Sequence, residues 1–271
     1  MLQNLEPIQR LTKDIKEASY ILSDDEARFL VDSYYIMQEN RIRSASQIRS
    51  MTESGEPNAV LQWLLTQNET LEKQVAKALD AYSSSSEIGK WMRSNKGVGP
   101  VISAGLIAHI DIRKADTAGH VWSYAGLSNN PDKAWKKGQK RPFNAELKRL
   151  CYLIGESFVK VSGHEDAIYG KIYKERKQYE SEKNDNLEYA DQAKAKLEKF
   201  NISKNTDAYK FYSQGKLPPA HIHARAKRFA VKMFLSHAWQ VWREIEGLPT
   251  PKPYAIAHMG HAHKIEPTKT T

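Results

Sequence analysis

The chain has few of the features that mark secreted or membrane-spanning proteins. Of its 271 residues only one is a cysteine, Cys151, so no disulfide framework can form within the chain, and a reducing compartment is expected. No apolar run approaches the roughly 20 residues that cross a bilayer. The N-terminus also lacks the pattern of a signal peptide. The sequence therefore predicts a cytoplasmic protein with no membrane partner.

Alternating apolar and polar residues between turn signals, the pattern of β-strands, are also missing. Apolar residues recur instead at helical spacing along almost the whole chain. We predict an all-α fold in which an N-terminal helical hairpin or coiled coil precedes a helical domain with a helix-hairpin-helix. The expected divisions are 1–86 for the first region, 87–248 for the domain with a charged insertion at about 174–215, and 249–271 for a tail bearing histidine and proline.

The chain lacks a uniform charge balance, because basic residues outnumber acidic ones only after the first third of the sequence. Residues 1–89 contain nine Lys and Arg against fourteen Asp and Glu, whereas residues 90–271 contain 32 against 18. Such asymmetry indicates that the basic part binds a polyanion. The alternative is a generically basic protein with no polyanionic partner.

The N-terminal helices have recognisable boundaries. Ser23 and the acidic residues after it predict an N-cap, with a helix to about Arg49. A second helix, after Gly55-Glu56-Pro57, has a heptad pattern with one polar position: Leu61, Leu64, Asn68, Leu71, Val75, Ala78 and Tyr82. This pattern fits a seam between two copies of the chain and an intramolecular hairpin equally well. We expect a homo-oligomer formed through these helices.

The most informative stretch is Gly97-Val98-Gly99-Pro100-Val101 and the apolar residues that follow it to Ala108. Two glycines bracket one apolar residue, so the backbone can adopt positive φ and approach a neighbour closely. The proline suits the first turn of a helix, whose start offers unpaired N–H groups to a phosphate. The pattern is typical of the turn and second helix of a helix-hairpin-helix. We predict contacts to nucleic-acid backbone from Lys96, Gly97, Val98, Gly99 and Val101; an ordinary corner between core helices is the alternative.

Two further segments carry residues suited to phosphate. The first is a loop with Gly138 and Pro142 that leads into a helix capped by Asn144, and its tryptophan can stack on a base. Its predicted contacts are Lys133, Trp135, Lys136, Lys137, Lys140, Arg141, Lys148 and Arg149. The second is one face of a helix from about 221 to 246, where helical spacing aligns His221, Arg225, Arg228 and Lys232. The alternative for both is a solvated basic surface, with the tryptophan in the core.

No residue set identifies a catalytic or cofactor site. Histidines recur in the tail and near the start of the last long helix: His258, His261, His263, His221 and His223. Neither group includes the cysteine or carboxylate on a rigid frame that zinc usually requires. We therefore predict no metal, no cofactor and no catalytic residue. Metal-dependent nuclease or strand-transfer chemistry by an unrecognised carboxylate set, such as Asp111, Asp116 and Glu156, stays open as an alternative.

Three motifs occur in a characteristic order. They are Lys96–Val101, then His120–Leu127 with its Tyr-Ala-Gly-Leu end and the following Pro131, then Lys136 through Asn144–Arg149. In this order they resemble the C-terminal domain of the DEDD insertion-sequence transposases, the family that includes the bridge-RNA-guided recombinases. The resemblance covers roughly residues 88–180, and the preceding helices are similar to the coiled-coil connector of that family. It implies a nucleic-acid-binding protein of a phage, plasmid or other mobile element.

Both catalytic features of that family lack a counterpart in this sequence. The family's RNase H-like domain holds four acidic metal ligands, whereas residues 1–89 are helical and have no strand-borne Asp. The family's serine nucleophile follows the proline, but 131–138 contains no serine. We therefore predict a non-catalytic, largely sequence-independent DNA-binding protein. RNA binding and a purely structural role for a helical protein stay open beside this prediction.

Overall fold

The structure, a computed structural model, describes residues 13–128, 135–252 and 265–267. Within these ranges it contains eleven α-helices and no strand, which confirms the all-α class. The helices are α1 (Lys13–Ala18), α2 (Asp24–Glu53), α3 (Ala59–Ser84), α4 (Glu87–Ser94), α5 (Pro100–His109), α6 (Ala118–Tyr124), α7 (Ala145–Val161), α8 (Ile168–Asp185), α9 (Ala190–Lys199), α10 (Asp207–Ser213) and α11 (Pro219–Ile245). None of the described helices is long and apolar enough to cross a membrane.

The chain forms two compact units. The first unit is Met1–Ser94 with Val98–Lys114, and the second is Asn95–Gly97 with Ala115–Thr271. The first therefore contains α1 to α5, and the second contains α6 to α11. The turn between α4 and α5 is divided, because its residues 95–97 belong to the second unit.

A helical hairpin of α2 and α3 dominates the first unit. The predicted N-cap is present, because the Ser23 hydroxyl accepts a hydrogen bond from the backbone N–H of Glu26 at 3.2 Å. The intramolecular hairpin explains part of the heptad pattern, but Leu64 and Leu71 are 40% and 36% exposed. Glu72 faces inward instead. Its carboxylate accepts two hydrogen bonds from the Arg41 guanidinium at 2.6 and 3.2 Å, which offset the cost of burying the charge.

Helix α5 closes the core of the first unit. Its small residues pack against α2 and α3, in a cluster of Ala27, Val31, Leu79, Tyr82, Val101, Ala104 and Ala108. The Arg28 guanidinium donates to the carbonyl of Ala108 at 2.6 Å, and so satisfies an acceptor in the last helical turn. Most of α5 is buried, from Val101 to His109. This helix is therefore a core element along most of its length.

The long helix α11 is the centre of the second unit, with α6, α7 and α8 packed against it. Three rings form its aromatic core, where the centroids of Phe158, Tyr169 and Phe234 are 5.1 to 5.6 Å apart. Nδ1 of the buried His237 lies 2.9 Å from the Tyr169 hydroxyl, and Nε2 lies 2.8 Å from the carbonyl of Ile265. This contact ties residues 265–267 to α11. The tail histidines predicted as a cluster, His258, His261 and His263, lie outside the described residues.

The charged segment predicted as an insertion at 174–215 contains a buried polar network. Glu180 in α8 is 1% exposed. Its carboxylate accepts hydrogen bonds from Arg176 Nε at 2.8 Å, Arg225 Nε at 2.6 Å and the Tyr189 hydroxyl at 2.6 Å. One turn on, the Asn184 amide bonds both the carbonyl and the N–H of Leu217, at 3.0 and 2.7 Å. Helix α8 is therefore part of the packed body of the second unit.

Candidate nucleic-acid interface

Only one of the two glycines in the predicted hairpin turn has the positive φ that the sequence allows. Gly97 has a φ of +96°, whereas Gly99 is extended, with φ of −91° and ψ of 179°. Gly97 also lies tightly on α7, where a Cβ would meet Val161 Cγ2 at 3.1 Å and Phe158 Cδ1 at 3.2 Å. The Ser157 hydroxyl donates to the Gly97 carbonyl at 2.6 Å. Gly97 is thus required for packing within the second unit, whatever it binds.

The other predicted hairpin residues differ in accessibility. Val98 and Val101 are 4% and 8% exposed, so their side chains point into protein. Lys96 is exposed, and its ammonium lies 3.3 Å from the Asp166 carboxylate, whose pKa it lowers. Nothing lies within 4 Å of a Cβ built on Gly99. Lys96 of the second unit is therefore exposed, and Gly99 of the first unit has open space where a Cβ would lie.

Alanine substitution separates the two glycines. We expect Gly97→Ala to lower the free energy of unfolding by about 1 to 3 kcal/mol, because alanine is strained at this φ and its Cβ crowds α7. Gly99→Ala is the matched control and should cost about 0.5 kcal/mol, the difference between glycine and alanine at an N-cap. Urea unfolding of both variants measures this. Equal losses would contradict the packing role of Gly97.

The predicted loop and the start of α7 form a strongly basic surface, the basic segment (residues 135–149). It contains six Lys and Arg against one Glu. Lys136, Lys137, Lys140 and Arg141 are exposed, and none forms an ion pair with a residue in the described ranges. Lys148 and Arg149 are exposed at the start of α7, and the predicted Lys133 lies outside the described residues.

The aromatic residues of the basic segment lie beside its cations. Trp135 is 44% exposed and is therefore not a core residue. Its indole N–H donates to the carbonyl of Gln139 at 2.7 Å, which fixes the ring, and the Arg141 guanidinium lies 5.8 Å from the ring centroid. The Lys148 ammonium lies 4.2 Å from the centroid of Phe143. Both contacts are within the range of cation–π attraction.

A recess lies where the basic segment meets the end of α6. Its volume is about 300 Å³, and its lining is Ser123, Gly126, Ser128, Trp135, Pro142, Phe143 and Lys148. Gly126 has a φ of +66°, and a Cβ there would lie 2.9 Å from the Phe143 ring. Asn144 anchors the far side, because its N–H donates to the Tyr124 carbonyl at 2.9 Å while its side chain caps α7. Short contacts therefore join the turn at Gly126, the Phe143 ring and the start of α7 at Asn144.

The predicted basic stripe of α11 is used in a different way at each position. Arg225 binds the buried Glu180, and His221 is half-buried, which lowers its pKa. The Lys232 ammonium lies 4.1 Å from the Trp122 centroid, and burial, then the nearby Arg228, lower its pKa. Arg228 is the one fully exposed cation of these four. The stripe is therefore not a uniform solvated face, and the Arg225 guanidinium is already bound to the carboxylate of Glu180.

The packing of α6 on α11 brings the remaining cations toward the recess. The indole N–H of Trp122 donates to the Lys232 carbonyl at 3.1 Å, and that of Trp239 donates to the Ala115 carbonyl at 2.6 Å. The two helices are therefore antiparallel. The end of α6 that carries the recess thus points toward the half of α11 that carries Arg228. Of the α11 stripe, Lys232 is the residue that contacts α6 directly, beside the Trp122 ring.

Each carboxylate of the alternative nuclease set has a basic neighbour. Asp111 lies 3.0 Å from the Lys114 ammonium, Asp116 lies 3.9 Å from the Arg243 guanidinium, and Glu156 binds Lys227. Hydrogen bonds from Lys114 and Lys227 lower the pKa of Asp111 and of Glu156. Across the described ranges no group of three or more His, Cys, Asp or Glu is arranged to hold a metal ion. Burial raises the pKa of the Cys151 thiol to about 12, so this cysteine is a poor nucleophile.

The chain was also compared with known proteins. No family model matches it, and no curated protein or solved structure matches it significantly. The resemblance to the transposase domain therefore stays a prediction from three sequence motifs.

Proposed function

We propose that the protein is a non-catalytic DNA-binding protein that binds the phosphate backbone through the basic segment of its second unit. The observation that carries this proposal is the cluster of Lys136, Lys137, Lys140 and Arg141, four exposed cations within six residues that have no acidic partner in the described ranges. Elsewhere in this unit, Arg225, Lys227 and other cations bind carboxylates of the chain itself. The charge of the basic segment is thus available to an external polyanion.

The binding is largely independent of sequence. Lysine and arginine on an exposed loop contact phosphates, and phosphate contacts position a protein without reading bases. Lys148 and Arg149, exposed at the start of α7, continue the basic segment, and Arg228 is a further exposed cation of the second unit. Of the predicted hairpin residues, the exposed Lys96 belongs to the second unit and adds a cation to this proposal.

The motif resemblance supports a role on a phage or other mobile element. The segment 131–138, where the family has its serine nucleophile, contains no serine, which supports a binding rather than a catalytic role. Self-association through the N-terminal helices belongs to the same proposal, because the α3 positions left exposed in the hairpin include Trp63, Leu64 and Leu71. A mass measurement in solution decides that part, and a monomer contradicts it.

Salt dependence tests the proposal. We expect the logarithm of the association constant to fall linearly with the logarithm of salt concentration, with a slope of about −0.9 for each phosphate neutralised, or about −4 for the four-cation cluster on duplex DNA. Unrelated duplexes of equal length should show the same slope and similar affinities. Fluorescence anisotropy with two labelled duplexes over a salt series measures both quantities. A flat response would reject the proposal.

RNA is the second candidate ligand, because the domain that the sequence resembles belongs to a family that includes RNA-guided recombinases. The same anisotropy series with an RNA duplex separates the two. Backbone slopes alone do not discriminate DNA from RNA, so the comparison has to be of affinities at one salt concentration. If the protein binds RNA more tightly than DNA, RNA becomes the proposed ligand in place of DNA.

A further inference from the structure

The recess at the end of α6 is more structured than phosphate binding requires. A cluster of exposed lysines is sufficient to neutralise a backbone, yet here Lys148 lines a concave site together with the aromatic rings of Trp135 and Phe143. Its volume of about 300 Å³ lies at the lower end of the range of roughly 300 to 1,000 Å³ for pockets that bind small molecules. The site is therefore large enough for one small planar group.

The chemistry of the lining indicates what that group is. The Trp135 ring is exposed, and because its N–H is bonded to Gln139 the part left for a ligand is the ring surface. Aromatic surfaces stack on any base, whatever its hydrogen-bonding edge. Ser123 and Ser128 complete the polar part of the lining.

The charges around the recess fit the phosphates that flank such a base. Lys148 lines the recess itself, and Arg141 lies beside Trp135. A small inorganic anion would not need the aromatic walls, and a neutral apolar ligand would not need the cations. An aromatic group linked to phosphates satisfies both, and a nucleotide within a strand is such a group.

A base inside a regular duplex is stacked and paired, so it cannot enter a recess until it is unpaired. We infer that the recess of the second unit binds an unpaired nucleobase of DNA by stacking on Trp135, so that the preferred ligand contains an unpaired nucleotide within or beside a duplex. This inference rests on the proposed DNA binding and names its preferred substrate. Backbone contacts supply the general affinity, and the recess supplies the preference for unpaired over paired DNA.

Three DNA ligands of equal length test the inference: a continuous duplex, the same duplex with one bulged nucleotide, and a single strand. At one fixed salt concentration we expect the bulged duplex to bind at least about 5-fold more tightly than the continuous duplex, because stacking of one base on an aromatic side chain is worth about 1 to 3 kcal/mol. Trp135→Ala should abolish this preference, so that the bulged and continuous duplexes bind with equal affinity. Phe200→Ala is the matched control and should keep the preference, since Phe200 is 48% exposed in the same unit and does not line the recess.

A crosslink locates the base directly. With 5-iodouracil at the bulged position, irradiation and peptide mapping should place the adduct in the segment from Trp135 to Phe143. Equal affinity for bulged and continuous duplex, or an adduct outside that segment, overturns the inference while leaving DNA binding intact. Loss of binding to all three ligands by Trp135→Ala also overturns it, because stacking on one unpaired base cannot account for duplex affinity. If the unaltered protein binds none of the three, the proposed function itself fails.

Discussion

Replacement of Lys136, Lys137, Lys140 and Arg141 together by glutamine is expected to weaken duplex DNA binding by at least about 100-fold at roughly 0.1 M salt. Each phosphate that a cation neutralises contributes a slope of about −0.9, so removal of four contacts should also make the salt dependence shallower by about 3 to 4. Stability should change little, because these side chains are exposed and have no ion pairs in the described ranges. Anisotropy over a salt series, with thermal unfolding alongside, measures both effects.

The matched control removes four lysines from elsewhere in the same unit. Lys160, Lys171, Lys174 and Lys177 are exposed on α7 and α8, and their replacement by glutamine lowers the net charge by the same amount. Net charge alone would weaken binding equally in the two variants. A much larger loss in the first variant assigns the contacts to the basic segment, whereas equal or reversed losses would place them on another surface.

Features fixed by neighbouring residues could be predicted from the sequence. The N-caps at Ser23 and Asn144 each depend on one side chain and an N–H three residues later, and both are present. The positive φ of Gly97 was likewise expected from the glycine-containing turn. Exposure of Trp135 stayed open, because a tryptophan in a loop of glycine, proline and lysine suits either a core or a surface position. Trp135 is on the surface because of how its loop packs against the end of α6, which depends on residues far apart in the sequence.

Long-range pairing could not be predicted in this way. Arg225 has the helical spacing of a basic stripe, but its partner Glu180 is 45 positions away, in a segment whose composition suggests an exposed insertion. The orientation of α3 is a second example, because Leu71 is a heptad position but is exposed, whereas its neighbour Glu72 is outside the heptad and is buried. Glu72 faces inward with its charge paired to Arg41 of α2, 31 positions away. In both helices a buried carboxylate with a distant arginine overrides the local pattern.

Glu180→Ala should therefore have the largest effect on stability of any substitution considered. Removal of one member of a buried ion pair costs about 3 to 5 kcal/mol, because the partners are left without a counter-charge. Here Arg176 and Arg225 would face each other, and the Tyr189 hydroxyl would lose its acceptor. Glu175→Ala, at an exposed position on the same helix, should change stability by no more than about 0.5 kcal/mol. Urea unfolding at neutral pH compares the two variants, and similar losses would contradict the role of the network.

The same carboxylate gives stability a defined pH dependence. Burial raises the pKa of Glu180, but hydrogen bonds from Tyr189, Arg225 and Arg176 outweigh it, and the pKa lies below its ordinary value. Because the folded pKa is below the unfolded value of about 4.3, the contribution is fully present above that value and is lost as pH falls through the folded pKa. The difference in unfolding free energy between the unaltered protein and Glu180→Ala should thus be constant from neutral pH to about pH 5 and shrink below pH 4. A difference that grew on acidification would mean that the pKa of Glu180 is raised in the folded protein, which would contradict the ion pairs with Arg176 and Arg225.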